Sequence, residues 1–269
     1  MVKSTDKVCP KCGMKFKQNG MEAPQRSFTN GQKAMLTNSG FAIGAAARAA
    51  RLNAKYSEGE IIEPRTYNVI LTAVVLWGLL VNVLLCAFVG DVSSIISPVA
   101  FIIIYFVSSI AGIIIAGKSK KPLISFLGYN MIVIPMGLLI STLVAEYLDG
   151  DPSIVTNTFL YTMIIGAVMT GAAISFPKFF AKLGRVLLLS LGASLILGVV
   201  LMLTGWDTII YDIVVAGIFS LYIGYDIYRS QQFEKTVDNA VDCAVDIYLD
   251  LANLFIRLLM ILAKSKRDD

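Results

Sequence analysis

From Tyr67 onward the chain is written in apolar runs of about 20 residues, the length of helix that crosses a hydrocarbon core roughly 30 Å thick. Hydrocarbon offers the backbone no hydrogen-bond partners, so only helices or closed barrels can span it. The runs fall near 68–89, 97–117, 123–145, 154–175, 185–204, 208–228 and 240–262 and predict seven helices. A hydrophobic content of 56%, with 16% charged residues and a mean hydropathy of +0.71, is too apolar for an ordinary soluble domain. The expected fold is therefore all-α and polytopic, an integral multi-pass membrane protein.

Residues 1–65 read as a separate tail ahead of a membrane domain at 66–269. The tail opens with "CPKCGMKF", passes through a polar Gly/Asn/Gln stretch whose composition predicts disorder, and ends in "FAIGAAARAARLNAKYSEG". In that last part Arg48, Arg51 and Lys55 recur at helical spacing, which suits a basic helix at an anionic membrane surface or a solvated helical linker. No short apolar core with a small-residue cleavage site precedes the first long run, so the amino terminus is expected to stay in the cytoplasm.

The chain has no histidine, which removes Ser-His-Asp and Cys-His catalysis, histidine-ligated zinc or haem, and the usual imidazole pH switch. The net charge of +4 is distributed by loop rather than along a nucleic-acid-binding face, and no nucleic-acid partner is expected. Lys118, Lys120 and Lys121 follow the second run, Lys178, Lys182 and Arg185 follow the fourth, and Arg229 and Lys235 follow the sixth. Asp91, Glu146, Asp149, Asp151 and Asp207 mark the alternate loops. The positive-inside rule thus puts the tail and the even-numbered loops in the cytoplasm. Lys264, Lys266 and Arg267 conflict with it if the seventh run crosses fully, unless that segment is re-entrant or the other loops outvote it.

The seventh run is the unusual one. Its stretch "DCAVDIYLDLANLFIRLL" places Asp242, Asp246, Asp250, Asn253 and Arg257 within an arc of about 80° on a helix. Carboxylates are expensive in a membrane and cannot face lipid, so this helix is expected to be the most enclosed. On the sixth run Asp212, Val215, Phe219, Tyr222 and Asp226 share a face. The intervening "KTVDNA" is turn-like and centred near Asp238. Asp226 precedes that point by 12 residues and Asp250 follows it by 12, so in an antiparallel hairpin both lie about 18 Å of helix from the turn.

Two facing carboxyl groups cannot both ionise cheaply, so they share a proton, and such a pair can sense pH without histidine. Deprotonated, it offers the hard oxygen ligands that suit calcium. The plainer reading is that Asp226 and Asp250 are interhelical glue, hydrogen-bonded to Tyr222, Asn253 or Arg257. Asp242 and Asp246, a turn or two into the helix, either guide cations toward the pair or are simply solvated. Arg257 either neutralises part of the stripe or snorkels to the surface.

The segment "IFSLYIGYDIYRSQQF", followed by "IYLDLANLFIRLLMILA", resembles the paired last helices of the Bax inhibitor family of transmembrane proteins, including its bacterial calcium-leak members. The resemblance covers about 67–264, most strongly from Gly217 on. It implies a bundle in which the seventh helix is central and enclosed by the other six. It also implies a calcium leak in a bacterial cell membrane, gated by protonation of the two aspartates, which map onto Asp226 and Asp250. Calcium and protons are then the ions handled, membrane lipid is the surroundings, and no resident cofactor is required. The family's basic latch at the end of the second helix has Lys118, Lys120 or Lys121 as counterparts in "AGKSKKP", although lysine lacks the fork of arginine. The glutamate that some members carry in the second helix is absent from "FIIIYFVSSIAGIII".

The "CPKCG" motif resembles half of a zinc ribbon: Cys9 and Cys12 supply two of about four ligands, so zinc there needs a second copy or a protein partner held through the tail, and the alternative is a degenerate or redox-sensitive knuckle. Three other functions compete with the leak. An intramembrane aspartyl protease also pairs a "YD" with a later aspartate, but the Gly-Xaa-Gly that opens its backbone to substrate is replaced by "IYLD". A proton-coupled transporter predicts broken helices in two repeats, and Pro135 with "GAVMTGAAIS" interrupts the pattern only mildly. A regulatory interaction protein would use the tail as its contact surface.

Overall fold

The computed structural model describes residues 16–17, 20–21, 61–93, 95–148, 152–205 and 208–267. They belong to two units. Within Met1–Asn38, strands β1 (Phe16–Lys17) and β2 (Gly20–Met21) pair antiparallel, Phe16 opposite Met21 and Lys17 opposite Gly20. Cys9, Cys12 and the basic tail segment lie outside the described residues.

The second unit, within Ser39–Asp269, is all-helical: α1 (Pro64–Phe88), α2 (Pro98–Lys118), α3 (Pro122–Leu148), α4 (Pro152–Ser175), α5 (Pro177–Thr204), α6 (Ile209–Ser230) and α7 (Val237–Arg267). Six of these, α1 to α6, are long and apolar enough to cross a membrane. Five begin on a proline, whose missing N–H costs nothing in a first turn and whose fixed φ already suits a helix. That signal also moves one boundary. α5 starts at Pro177 rather than near 185, so Lys178, Lys182 and Arg185 ride exposed on its opening turns instead of forming a loop.

Pro135 sits inside α3 and leaves the carbonyl of Met131, four residues back, without its helical donor. Ser108 of α2 fills the gap, its hydroxyl donating to that carbonyl at 2.7 Å. Nearby, α2 and α3 approach closely at Gly112 and Gly128, where a Cβ on either would stand within 3 Å of the other's carbonyl oxygen. Small residues of this kind let membrane helices pack backbone to backbone.

α7 packs against α1, α3, α4 and α6, and no residue from Val237 to Lys264 is exposed. By contrast α2 turns Ile102, Ile103, Ile104, Phe106 and Val107 outward. Exposed apolar side chains suit a lipid solvent, and the aspartates of α7 do not, which is why the polar helix is the one the fold covers. Tyr248 on α7 and Tyr129 on α3 are both fully buried, edge to face with centroids 5.5 Å apart. Their hydroxyls donate to Asn82 Oδ1 and to the carbonyl of Val74, both on α1, at 3.0 Å each. The Tyr248 bond, backed by the Tyr129 ring, fixes the rotation of α7 against α1.

Candidate functional site

α6 and α7 form an antiparallel pair with a constant register. Asp212 meets Lys264, Asp226 meets Asp250 and Arg229 meets Asp246, each pair within one residue of equidistant from Asp238. The link itself lies elsewhere. It runs from Gln231 to Thr236, and Asp238, expected at its centre, already belongs to the first turn of α7. In this register the end of α6 at Ser230 is level with about Asp246, so the first nine residues of α7 project past it, about 14 Å at 1.5 Å per residue.

That overhang is held by α1 and α3. Tyr67 donates its hydroxyl to the carbonyl of Ser230 at 3.0 Å, and the Lys235 ammonium lies 4.4 Å over the Tyr67 ring. The Ile62 amide donates to the Lys235 carbonyl at 2.8 Å. Ser125 at the start of α3 donates to Asp238 Oδ1 at 2.7 Å. Partial burial of the link raises the Glu234 carboxyl above the ordinary glutamate range. Asp242 follows from the same arrangement. It is fully buried, so the reading of it as a solvated residue is replaced, because α1 and α3 cover the turns that extend past α6.

The carboxyl groups of Asp226 and Asp250 lie within hydrogen-bonding reach of one another, and both residues are buried. Arg229, one turn past Asp226 on α6, places Nη1 at 3.9 Å from Asp226 Oδ1 and at 3.9 Å from Asp246 Oδ2. Its guanidinium also lies 5.4 Å over the Phe233 ring. Tyr222 and Tyr225 stand beside the group, their rings edge to face at 6.5 Å. The result is three carboxylates and one guanidinium gathered on the α6–α7 seam. Asp246 differs from its neighbours in that its side chain is 26% exposed.

The other residues singled out in the sequence go elsewhere. Asn253 donates to the carbonyl of Leu249 on its own helix at 2.7 Å. Arg257 turns away from the aspartate pair to Asp212, Nη1 to Oδ1 at 2.8 Å. Lys118, Lys120 and Lys121 are exposed around the α2–α3 link. Among the described residues, no three acidic or thiol side chains are gathered closely enough to hold a metal ion.

Two participants escaped the sequence reading. Arg229 counted there only as a loop charge, although its three-residue spacing from Asp226 puts both on one helix face. The pairing of Asp212 with Lys264 was equally available, since the two are mirror positions about Asp238.

Residues 63–267 match the family described as "Inhibitor of apoptosis-promoting Bax1". An uncharacterised protein of Helicobacter pylori strain 26695 is 26% identical over 166 residues, which is 59% of this chain and 70% of that one. An uncharacterised protein of strain J99 is 31% identical over 106 residues, 38% of this chain and 44% of that protein. With the family match spanning all seven helices, the chain belongs to the Bax inhibitor family.

Proposed function

We propose that this protein is a pH-sensitive calcium leak of a bacterial cell membrane, in which Asp226 and Asp250 share a proton and gate passage along α7. The observation that carries this reading is the meeting of the two buried carboxyl groups across the α6–α7 seam. Neighbouring like charges in a site of low dielectric cannot both form cheaply, so the ionisation of the pair is coupled to the spacing of the two helices. Arg229, rather than a lysine of the α2–α3 link, serves as the basic latch, since it reaches both Asp226 and Asp246.

In this reading α7 is the central element, covered by α1, α3, α4 and α6 instead of by all six other helices, and its lack of exposed residues from Val237 to Lys264 supports that role. The even-numbered loops and the tail face the cytoplasm, in keeping with the exposed Lys118, Lys120, Lys121, Lys178, Lys182 and Arg185. Calcium passes as cargo rather than binding as a resident cofactor. The protein performs no covalent chemistry, and the tail with Cys9 and Cys12 is left for zinc or a partner.

Calcium flux into liposomes between pH 6 and 8 tests the proposal. The unmodified protein is expected to show a pH-dependent flux, and Asp226→Asn and Asp250→Asn are each expected to flatten it. Flux and pH response unchanged in both variants would overturn the reading.

A further inference from the structure

α7 is the one helix of the seven whose composition does not by itself carry it across a membrane. Arg257 interrupts its apolar half, and Lys264, Lys266 and Arg267 follow in a position the positive-inside rule disfavours if the helix crosses fully. A lone cation inside hydrocarbon is costly, so these residues need an acceptor. The structure supplies one on α6.

Asp212, whose side chain is 2% exposed, receives Arg257 Nη1 on Oδ1 at 2.8 Å and Lys264 Nζ on Oδ2 at 2.6 Å. Both oxygens of one carboxylate are thus engaged by two cations from two successive stretches of α7. Arg257 also lies 5.1 Å over the ring of Tyr211, whose hydroxyl is fixed to the carbonyl of Ser194 on α5 at 3.0 Å. Arg257 is therefore held in part by a ring that is itself anchored to α5. Lys264 meets Asp212 in the register that also joins Asp226 to Asp250, so it lies level with the first turn of α6, a full span away from the link.

We propose that Asp212 is the residue that takes the C-terminal half of α7 across the membrane. Its single negative charge is shared by Arg257 and Lys264 within the hairpin and offsets one of their two positive charges, so that α6 and α7 enter the bilayer as one ion-paired unit. The end of α7 then lies on the face opposite the Gln231–Thr236 link. Lys264 no longer counts as a free loop charge, because it is ion-paired inside the protein. Asp212 acts here as a positioning residue, and the inference stands apart from the calcium reading because it concerns sidedness alone.

The test uses the full chain with its native cysteines replaced and a single reporter, Gln232→Cys in the link or Ser265→Cys near the end of α7. A membrane-impermeant maleimide is applied to intact and to permeabilised cells. With Asp212 present, the two reporters are expected to label from opposite faces. Asp212→Lys is expected to lower opposite-face labelling of Ser265→Cys at least fivefold. Combining it with Lys264→Asp restores an ion pair of inverted polarity and is expected to bring labelling back to within twofold. If Asp212→Lys chains are degraded instead, recovery of the chain by Lys264→Asp supports the inference, and equal degradation of the double variant overturns it. It is also overturned by both reporters labelling from one face, by unchanged sidedness in Asp212→Lys, or by a swap that restores nothing.

Discussion

Gly78→Val is expected to destabilise the helical unit by about 3 kcal/mol, the upper end of the usual cost of overpacking a core. Gly78 lies on α1 where Tyr129 of α3 and Tyr248 of α7 converge. A Cβ there would stand 2.7 and 2.9 Å from two carbons of the Tyr248 ring and closer still to the Tyr129 hydroxyl. Neither ring can easily retreat. Both are fully buried, and each hydroxyl is committed to a partner on α1. Relief has to come from moving α1 away from α7, which would break the contacts that set the rotation of α7. Titration with a denaturing detergent in mixed micelles would measure the loss, with Gly78→Ala expected to fall between the two. Stability equal to the parent in both variants would mean that α1, α3 and α7 do not meet as described.

How much of this arrangement could be read beforehand depends on what each feature requires. The helices were legible because their signals are local, namely apolar runs of spanning length, with a proline opening five of them. The pairing of Asp226 with Asp250 follows from counting about Asp238, and the facing of those residues in the structure agrees with that count. The count works for a different reason from the one that motivated it. The turn is not at Asp238, and the register holds because the Gln231–Thr236 link carries the chain past the end of α6 before α7 starts back along it. Nothing local encodes that overhang. It is set by Tyr67, Ile62 and Ser125, which lie far away in sequence and arrive with α1 and α3. The solvated alternative for Asp242 fell for the same reason, since periodicity identifies a polar face but not which distant helix covers it. Arg229 was hidden differently. Its charge served a topology argument, and its position one turn after Asp226 went unused. Arg257 was expected to neutralise part of the stripe or to snorkel, and finding its partner, Asp212, needed the same count carried out at the far end of the hairpin.

Asp226→Asn combined with Asp250→Asn is expected to make the protein more stable, because two carboxyl groups crowded in a buried site disfavour each other's ionisation and two amides do not. The two amides can still hydrogen-bond across the seam, but the cost of crowding two carboxyl groups there disappears. Arg229 keeps Asp246 as a partner, so no cation is stranded. Asp212→Asn is expected to go the other way and cost about 3–5 kcal/mol, because it removes the carboxylate side of a buried ion-pair set that Arg257 and Lys264 share. Arg257 and Lys264 would then face an amide that can accept from them only weakly. The opposite signs separate two uses of a buried aspartate. One that holds helices together is missed when it is neutralised, as at Asp212. One kept for its ability to gain and lose a proton is carried at the expense of stability, and removing it should raise stability while abolishing the pH response. Denaturing-detergent titration of the two proteins beside the parent would read both signs. A loss of stability in the Asp226/Asp250 double variant would assign that pair to adhesion between α6 and α7 instead of gating.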